Sequence, residues 1–563
     1  MLPVNSSIKG SGLSSWNPSE DKPLALPQWT VPYLSSLTAL ALFWAVENFL
    51  VQAAAFDQQP TTLHPHFYQT IRLGLNFLAA AAVLLFFGRR WLLAILAGDF
   101  LVSVLTLPYA QYFHHALSLE ATMRTADEGM RVSHFGLEVI PPALWLALLG
   151  ALAVKVYWVI RITPQPASWR RGCAAACLAA EMACILGLQF TSFRLPSLRS
   201  RSVTRAVYAY GYLNAWAAEL FYGPDMKEIS QQLIELQSAS PDRLLGVEEP
   251  WPVSSHVVVV QMESIGWEVL NARIAGQEVA PFLSSLACSS RCFRIQVYHT
   301  LGSADMDYAV LSGGTPSSAV VSYDVPDVTY SNGLPGFMEK HGFHTVALHG
   351  NDGGFFNRRG NFERMGFDEI WFKEDFKGRA VKQSSWGVRD AELFQLSSQE
   401  IRQAVRPQFH FIITLDSHAP FNLIDDQEKK VFPNAWAWRE NYFNSARRLD
   451  ELLRDYIQSL PPGTLVILYG DHPAGVDYEG FHPAQEGSAE FVPCLVHVCG
   501  DSSAPAAHAW PPASLPPDLR ILDIINFMRH QIADRPAPAP PPYSQSGLSQ
   551  AVPSARRATD RIQ

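Results

Sequence analysis

The 563-residue chain has no dense basic tract, and its formal net charge is −9. That balance excludes a protein built to collect nucleic-acid phosphates. It has no internal repeat, which sets aside solenoid and propeller architectures. Its seven cysteines include no C-x-x-C pair, so zinc-knuckle and thioredoxin-type readings are weak. Nor does the N-terminus read as a cleaved signal peptide, because a long polar stretch precedes the first apolar run.

Apolar sequence is present in quantity, and it is unevenly distributed. Up to about Phe190 the chain is dominated by Ala, Leu, Val and Trp, and beyond Ser197 it reads as an ordinary water-soluble sequence of mixed charge. The length alone calls for at least two folding units. Five apolar segments, at about 34–55, 70–88, 91–108, 137–160 and 172–190, are near the roughly 20 residues that cross a bilayer as a helix. Lys9 and Lys22 precede the first, Arg89 and Arg90 join the second to the third, and Arg161, Arg170 and Arg171 join the fourth to the fifth. Cationic residues collect on the cytoplasmic side, so the expected topology puts the N-terminus inside and the large C-terminal domain outside, in the periplasm of an inner (plasma) membrane.

Glu47, Asp99 and Glu181 fall in or near these spans, where a charge is expensive. They read equally as a polar lipid or proton path and as helix-to-helix hydrogen bonding. From Arg194 to Gly223, four arginines (Arg194, Arg199, Arg201, Arg205) accompany Val203, Val207, Tyr210, Leu213, Trp216 and Leu220 at helical spacing. This pattern suits an interfacial helix on the outer leaflet, or a connector packed on the next domain.

Cys173, Cys177 and Cys184 lie in the fifth span, where a thiol acts as a small apolar group. Cys288 with Cys292, and Cys494 with Cys499, are the economical disulfides of an exported domain. The expected division is 1–33 cytoplasmic, 34–190 transmembrane, 191–250 juxtamembrane helix and linker, 251–532 catalytic, and 533–563 a disordered Pro-rich tail.

Between Ser254 and Ile532, apolar runs alternate with helical stretches. Val257–Gln261, Phe293–Tyr298, Thr345–Leu348, Phe409–Leu415, Leu465–Tyr469 and Val492–Val498 read as buried strands; Ala391–Ala404, Trp436–Leu460 and Pro517–Ile532 read as helices. The pattern predicts an α/β fold, a mostly parallel sheet flanked by helices, with ligands beyond the carboxyl ends of the strands. Glu263 and the pair Asp471-His472 each follow a strand directly. Together with a hydroxyl in Gly302-Ser303-Ala304-Asp305 they form the donor set with which one divalent cation turns an alcohol into a nucleophile. Read singly, Ser303 is a helix cap and Asp471 an ordinary turn residue.

The ordered blocks VVVVQMESIGW, PFLSSLA, GSADMDY, GFHTVALHGNDGGFFNRRGNFERMGFDE, FIITLDSHAPF and LVILYGDHPAG resemble the lipoteichoic acid synthase group of the alkaline phosphatase and sulfatase superfamily, over about Ser254 to Val498. The resemblance implies a five-helix transmembrane bundle followed by an extracytoplasmic alkaline phosphatase-like domain that transfers phosphoglycerol from phosphatidylglycerol. It implies Glu263, Asp471 and His472 as metal ligands and Ser303 as ligand and nucleophile. The family carries threonine there in a longer loop, so Thr300 is the rival hydroxyl. It implies His418 as proton donor to the leaving alcohol or as a clamp on the transferred group, with His349 and Arg358 on the phosphoglycerol. Phe356 stands where the family has tryptophan, which keeps a wall and loses an indole donor.

Mixed oxygen and nitrogen ligation suits Mn2+, then Zn2+ or Mg2+. No C/S-x-P-x-R context precedes the candidate loop, which argues against a sulfatase proper. Asp352 and Asp390 read as turn or capping residues, Arg359 as a solvated charge, and His299, His344, His410 and His497 as satisfied core histidines. The acceptor is read as a glycan or polymer outside the membrane. Alternatives are phosphoethanolamine transfer from phosphatidylethanolamine, simple phosphodiester hydrolysis, and a non-catalytic membrane scaffold.

Overall fold

The computed structural model describes residues 30–55, 65–113, 116–119, 142–161, 167–190, 203–221, 225–238, 256–483, 485–486, 489–500 and 519–533. Lys9, Lys22, Arg194, Arg199, Arg201, the Arg205 side chain and the segment 534–563 lie outside the described residues.

Five continuous apolar stretches form five helices long and apolar enough to cross a membrane. They are α1 (Thr30–Ala55), α2 (Pro65–Phe86), α3 (Arg89–Phe113), α4 (Pro142–Arg161) and α5 (Ala167–Gln189). Leu, Ala and aromatic side chains interlock where α1 packs on α2, α2 on α5, and α3 on α4. The charges expected in the spans are paired with one another. Lys155 of α4, 1% exposed, places Nζ 2.6 Å from Glu47 Oε2 of α1 and 2.7 Å from Asp99 Oδ2 of α3. Trp44 Nε1 donates to the same Asp99 oxygen at 2.9 Å. An isolated ion in hydrocarbon is costly, so this cluster holds three helices in one register. Glu181 accepts a side-chain hydrogen bond from Asn214 of the next helix instead of an ion pair.

That next helix, α6 (Val203–Phe221), packs through Ala206, Val207, Ala209 and Tyr210 against residues of α2 and α3. A short α7 (Met226–Ser238) follows, and its Ile229 and Leu233 enter the core of the second domain.

In that domain the strands are β1 (His256–Met262), β2 (Arg291–Gln296), β3 (His344–His349), β4 (Glu369–Trp371), β5 (Gln408–Ile413), β6 (Leu465–Gly470) and β7 (Ala489–Val498). Their order is β2-β7-β6-β1-β5-β3-β4, and the two-residue strand Gln485–Glu486 pairs with β7. The pairs β6-β1, β1-β5, β5-β3 and β3-β4 are parallel; β7 runs antiparallel to β6 and β2.

The helices α8 (Pro281–Ser289), α9 (Ala304–Ser312), α10 (Leu334–Lys340), α11 (Arg358–Met365), α12 (Asp390–Gln403), α13 (Trp438–Ser459) and α14 (Ile521–Ala533) complete the domain. Every residue of β1 is buried because side chains alternate between two cores. Val257 and Val259 enter one, and Val258, Val260 and Met262 the other. A strand covered on both faces therefore reads as one apolar run rather than an alternation.

The cysteine expectation is corrected. All seven cysteines are free thiols. Cys494 on β7 enters one core, and Cys499, just past the end of that strand, enters the other, so they lie on opposite faces of the sheet. Cys288 is exposed at the end of α8, whereas Cys292 is buried on β2.

Candidate metal centre and anion pocket

The parallel register carries the chemistry to one edge. Met262 lies opposite Gly470, Gln261 opposite Ile413, and Ile413 opposite His349. The residues just past β1, β5 and β6, and the last residue of β3, therefore emerge side by side at the carboxyl ends of the strands. Glu263, Asp471 and His472 are all buried, with one potential ligand atom of each within 4.8 Å of the others. His472 Nε2 is 3.3 Å from Glu263 Oε1 and 3.8 Å from Asp471 Oδ2.

These groups are held firmly. The Glu263 amide donates to Thr414 Oγ1 at 2.9 Å, and Ser264, at φ 58°, donates its hydroxyl to Glu263 Oε1 at 2.9 Å. Asp471 Oδ1 accepts from the amides of Ser264 and His472 at 2.8 and 2.7 Å. The Nδ1–H of His472 donates to the Pro473 carbonyl at 2.9 Å, which turns Nε2 toward the two carboxylates.

The donor set fits a divalent cation. Asp471 Oδ2 is buried without a hydrogen-bond partner among the described residues. Burial and the neighbouring Glu263 carboxylate push the Asp471 carboxyl well above its ordinary range. Burial opposes protonation of His472, yet Asp471 and Glu263 outweigh it and raise the imidazole to about 10. Burial likewise opposes ionisation of Glu263, but His418 and His472 hold its carboxylate below the usual range. Two carboxylates and an imidazole nitrogen that draw in a proton so strongly form a pocket that favours positive charge.

Ser303 immediately precedes α9, and its side chain makes no capping bond to that helix. The turn is secured instead by Asp305, whose Oδ2 accepts the amides of Thr300 and Leu301 at 2.8 Å each. Burial raises the Asp305 carboxyl to about 7. Gln261 Nε2, two residues before Glu263, donates to the Ser303 carbonyl at 3.3 Å. Arg358 Nη2 lies 3.4 Å from Ser303 Oγ. It is oriented by Asp307, whose Oδ2 accepts from Arg358 Nε at 3.0 Å and Nη2 at 2.6 Å. Phe356 lies under the guanidinium at 5.2 Å and presses on the loop, so that a Cβ on Gly302 would sit 3.0 Å from its ring. Gly302 has φ +129°, which together with this contact requires glycine.

Two further histidines face the same space. His349 donates Nδ1–H to the Ile413 carbonyl at 3.0 Å; burial, then the Arg358 charge, lower it to about 3. Its ring is therefore neutral, with Nε2 an acceptor. His418 donates Nδ1–H to the Ala419 carbonyl at 2.7 Å, and its ring packs against Trp386 at 4.5 Å. Both His349 and His418 interact electrostatically with Glu263, as does Arg358.

Glu263, Asp471 and His472 thus form one cluster, with His349, His418 and Arg358 around it and Ser303 reached through Arg358. Thr300 is fixed in the same turn by its amide. Asp352 accepts the Gly354 amide at 2.8 Å and is a turn residue. Asp390 receives the amides of Leu415 and Asp416 at 2.7 and 3.0 Å and so shapes the loop carrying His418. Arg359 pairs with Glu374 at 3.0 Å and with Asp375. His344, His410 and His497 have protein partners, in Asp368 and Glu369, Ser397, and Ser290 respectively.

His299 differs from the expectation. β2 ends at Gln296, so His299 lies in the following loop, stacks on His472 at 4.2 Å and pairs with Glu490 at 2.9 Å. Asp307 was also missed, although its spacing of four from Ser303 puts both on one helical face.

Residues 255–515 match the family described as Sulfatase. A lipoteichoic acid synthase of Staphylococcus saprophyticus is 22% identical over 422 residues, 69% of this chain and 65% of that protein. The chain thus spans 65% of the length of that curated relative. The crystal structure of the lipoteichoic acid synthase LtaP from Listeria monocytogenes is 19% identical with a TM-score of 0.41, over 49% of this chain and 72% of that one. The integral membrane lipooligosaccharide phosphoethanolamine transferase A of Neisseria meningitidis is 15% identical with a TM-score of 0.49, over 83% and 88%. The match to the Sulfatase family thus falls on the α/β domain, and the chain is similar in sequence to lipoteichoic acid synthases.

Proposed function

We propose that the protein is a membrane-tethered, metal-dependent transferase that moves phosphoglycerol from phosphatidylglycerol to a glycan or polymer outside the membrane, through a covalent phospho-Ser303. The observation that carries this reading is the approach of Arg358, held by Asp307, to the Ser303 hydroxyl, the same guanidinium being within electrostatic reach of Glu263 in the buried cluster it forms with Asp471 and His472. Those three residues, with Ser303, would hold one divalent cation, manganese before zinc or magnesium. When bound, it lowers the pKa of the Ser303 hydroxyl and offsets phosphoryl charge.

In the first step Ser303 Oγ bonds to phosphorus and the bond from phosphorus to the diacylglycerol oxygen breaks. His418 Nε2 hands a proton to that oxygen, and the Ser303 proton passes to solvent. Arg358 presents its fork to the phosphoryl oxygens as charge accumulates on them. Neutral His349 offers Nε2 to a glycerol hydroxyl, while Phe356 walls the pocket. In the second step the oxygen of an acceptor hydroxyl bonds to phosphorus as His418 Nε2 takes its proton back from that hydroxyl, and the bond from phosphorus to Ser303 Oγ breaks, Ser303 regaining a proton from solvent. Arg89, Arg90, Arg161, Arg170 and Arg171 at one end of the helices support an orientation with that end cytoplasmic and the α/β domain on the opposite side.

The test uses the full-length protein, incubated separately with phosphatidylglycerol and phosphatidylethanolamine, with added mass located by peptide mapping. A phosphoglycerol adduct on Ser303 is expected. An adduct on Thr300 moves the nucleophile, an ethanolamine adduct changes the donor, and no adduct with either lipid overturns the covalent route. Phosphoglycerol release that is indifferent to added glycan makes the protein a hydrolase.

A further inference from the structure

One cation in the membrane half lacks the pairing given to Lys155. The Arg72 side chain on α2 is 0% exposed. Its Nε, Nη1 and Nη2 have no hydrogen-bond partner among the described residues. The guanidinium lies 4.6 Å from the ring centroid of Phe49 on α1 and 5.1 Å from that of Tyr208 on α6. Among the described residues the Tyr208 phenol is the one ionisable group acting on it, and no carboxylate does. Aromatic faces offset only part of the cost of desolvating a guanidinium, which is normally met by a bound anion.

Two neighbouring features fit the same anion. Asn76, one turn further along the same face of α2, has Nδ2 buried without a partner among the described residues. Beside it α6 is interrupted at Gly211, with φ 80° and ψ 163°. A Cβ there would lie 2.7 Å from Asn76 Oδ1. A break in a helix frees amide donors at the start of its second half, a device by which discontinuous membrane helices receive anionic groups.

The depth is informative. Arg72 is near the start of the apolar window Gln69–Phe86 and Phe49 near the end of Tyr33–Leu50, far from the Arg89-Arg90 turn. Leu75, next along α2, shares a core cluster with Leu107, Ala110 and Tyr210. Tyr109, at the end of α3, lies within electrostatic reach of Asp305 beside Ser303. The unpaired cation is thus at the end of the bundle from which the α/β domain continues.

We infer that Arg72, with Asn76 and the interrupted α6, binds the phosphate of an anionic phospholipid at a site separate from the Ser303 centre. The chemistry is that of any phosphate oxyanion, but the apolar walls and the position at the edge of a span select a lipid over free phosphate. With the orientation proposed above, that phospholipid belongs to the outer leaflet, and this one placement rests on that orientation.

The test is native mass spectrometry of the full-length protein in detergent, titrated with phosphatidylglycerol. Arg72→Gln is expected to weaken lipid retention by about tenfold or more, and Arg72→Lys by less, since it keeps the charge and loses the fork. Asn76→Leu leaves the charge intact and is expected to weaken retention several-fold, so the site remains testable if an arginine variant folds poorly. Arg358→Gln serves as background because it disables the proposed catalytic anion pocket. There Arg72→Gln must still remove lipid, and the two losses must be independent. Loss of the Arg72 effect in that background would mean a single, catalytic lipid site and would overturn the inference, whatever adduct Ser303 forms. Inorganic phosphate alone, if taken up with the same Arg72 dependence, would replace the lipid as ligand. Unchanged retention in Arg72→Gln and Asn76→Leu would end the proposal.

Discussion

Replacing Arg358 by lysine separates geometry from charge at the proposed centre. Arg358 is 2% exposed and Asp307 0%, and one carboxylate oxygen receives both Nε and Nη2, at 3.0 and 2.6 Å. Nη2 is at the same time 3.4 Å from Ser303 Oγ. A lysine ammonium is a single point that reaches Asp307 or the phosphoryl group but cannot span both. The buried carboxylate keeps a counter-charge, so the stability cost should be about 1 kcal/mol. Loss of a donor directed at developing phosphoryl charge should lower kcat by a factor of about 10²–10³, or about 3–4 kcal/mol in the barrier. Asp307→Asn inverts the pattern, because it leaves a buried guanidinium uncompensated and should cost about 3–5 kcal/mol of stability. Initial rates with a fluorescent phosphatidylglycerol, measured beside thermal unfolding of the full-length protein, read both quantities. Wild-type kcat in Arg358→Lys, or an unaltered Tm in Asp307→Asn, would refute the assigned roles.

Gly302→Ala should lower the rate about tenfold or more, because it puts a Cβ 3.0 Å from the Phe356 ring at a φ of +129°; an undiminished rate would show that the loop is not tightly set. Glu263→Gln should reduce bound metal as measured by elemental analysis, and unchanged stoichiometry would remove Glu263 from the ligand set. His410, buried and bonded to Ser397, is lowered to about 3 in the fold. An unfolded histidine takes up its proton near 6.5, so the folded state binds fewer protons in between and stability is lost as pH falls through that window. The loss attributable to His410 should be about 2 kcal/mol at about pH 5, and His410→Gln should flatten the dependence by that amount in denaturant titrations. Lys155→Met alone should destabilise the bundle by about 3 kcal/mol, since Glu47 and Asp99 then share a site without their cation. Adding Glu47→Gln and Asp99→Asn should restore most of the Tm, and no recovery would mean the triad is not an ion-pair unit.

What could be read from the residues follows from how each signal is encoded. The five helices and the strands β1, β3, β5 and β6 announced themselves because burial on all sides demands unbroken apolar runs, such as His256–Met262 with all seven residues buried. The strand β4, Glu369–Trp371, did not, being three residues long and only partly covered at the sheet edge. The cysteine pairs misled because proximity in sequence says nothing about the face of the sheet a side chain meets. Cys494 on β7 and Cys499 just past its end enter different cores. His299 was misassigned because the apolar run Phe293–Tyr298 outlasts the strand, which stops at Gln296 and leaves the histidine free to turn onto His472.

The site itself divides along the same line. Asp471, Glu263, the Ser417-His418 turn and His349 succeed one another in the order of the strands β6, β1, β5 and β3. Asp471 and Glu263 directly follow apolar strands, His349 ends one, and Ser417-His418 comes a few residues beyond another, so the sequence marks each by a change of character. Ser303 and Arg358 come instead from the starts of two helices, and what joins them is Asp307, a carboxylate one turn into α9 whose spacing from Ser303 does not say which cation it meets. A helix-borne carboxylate that is fully buried needs a cation, and only the packing of α11 against α9 reveals which one it receives. The strand edge could therefore be read as a donor set from the sequence, whereas the arginine that approaches the Ser303 oxygen is specified by tertiary packing.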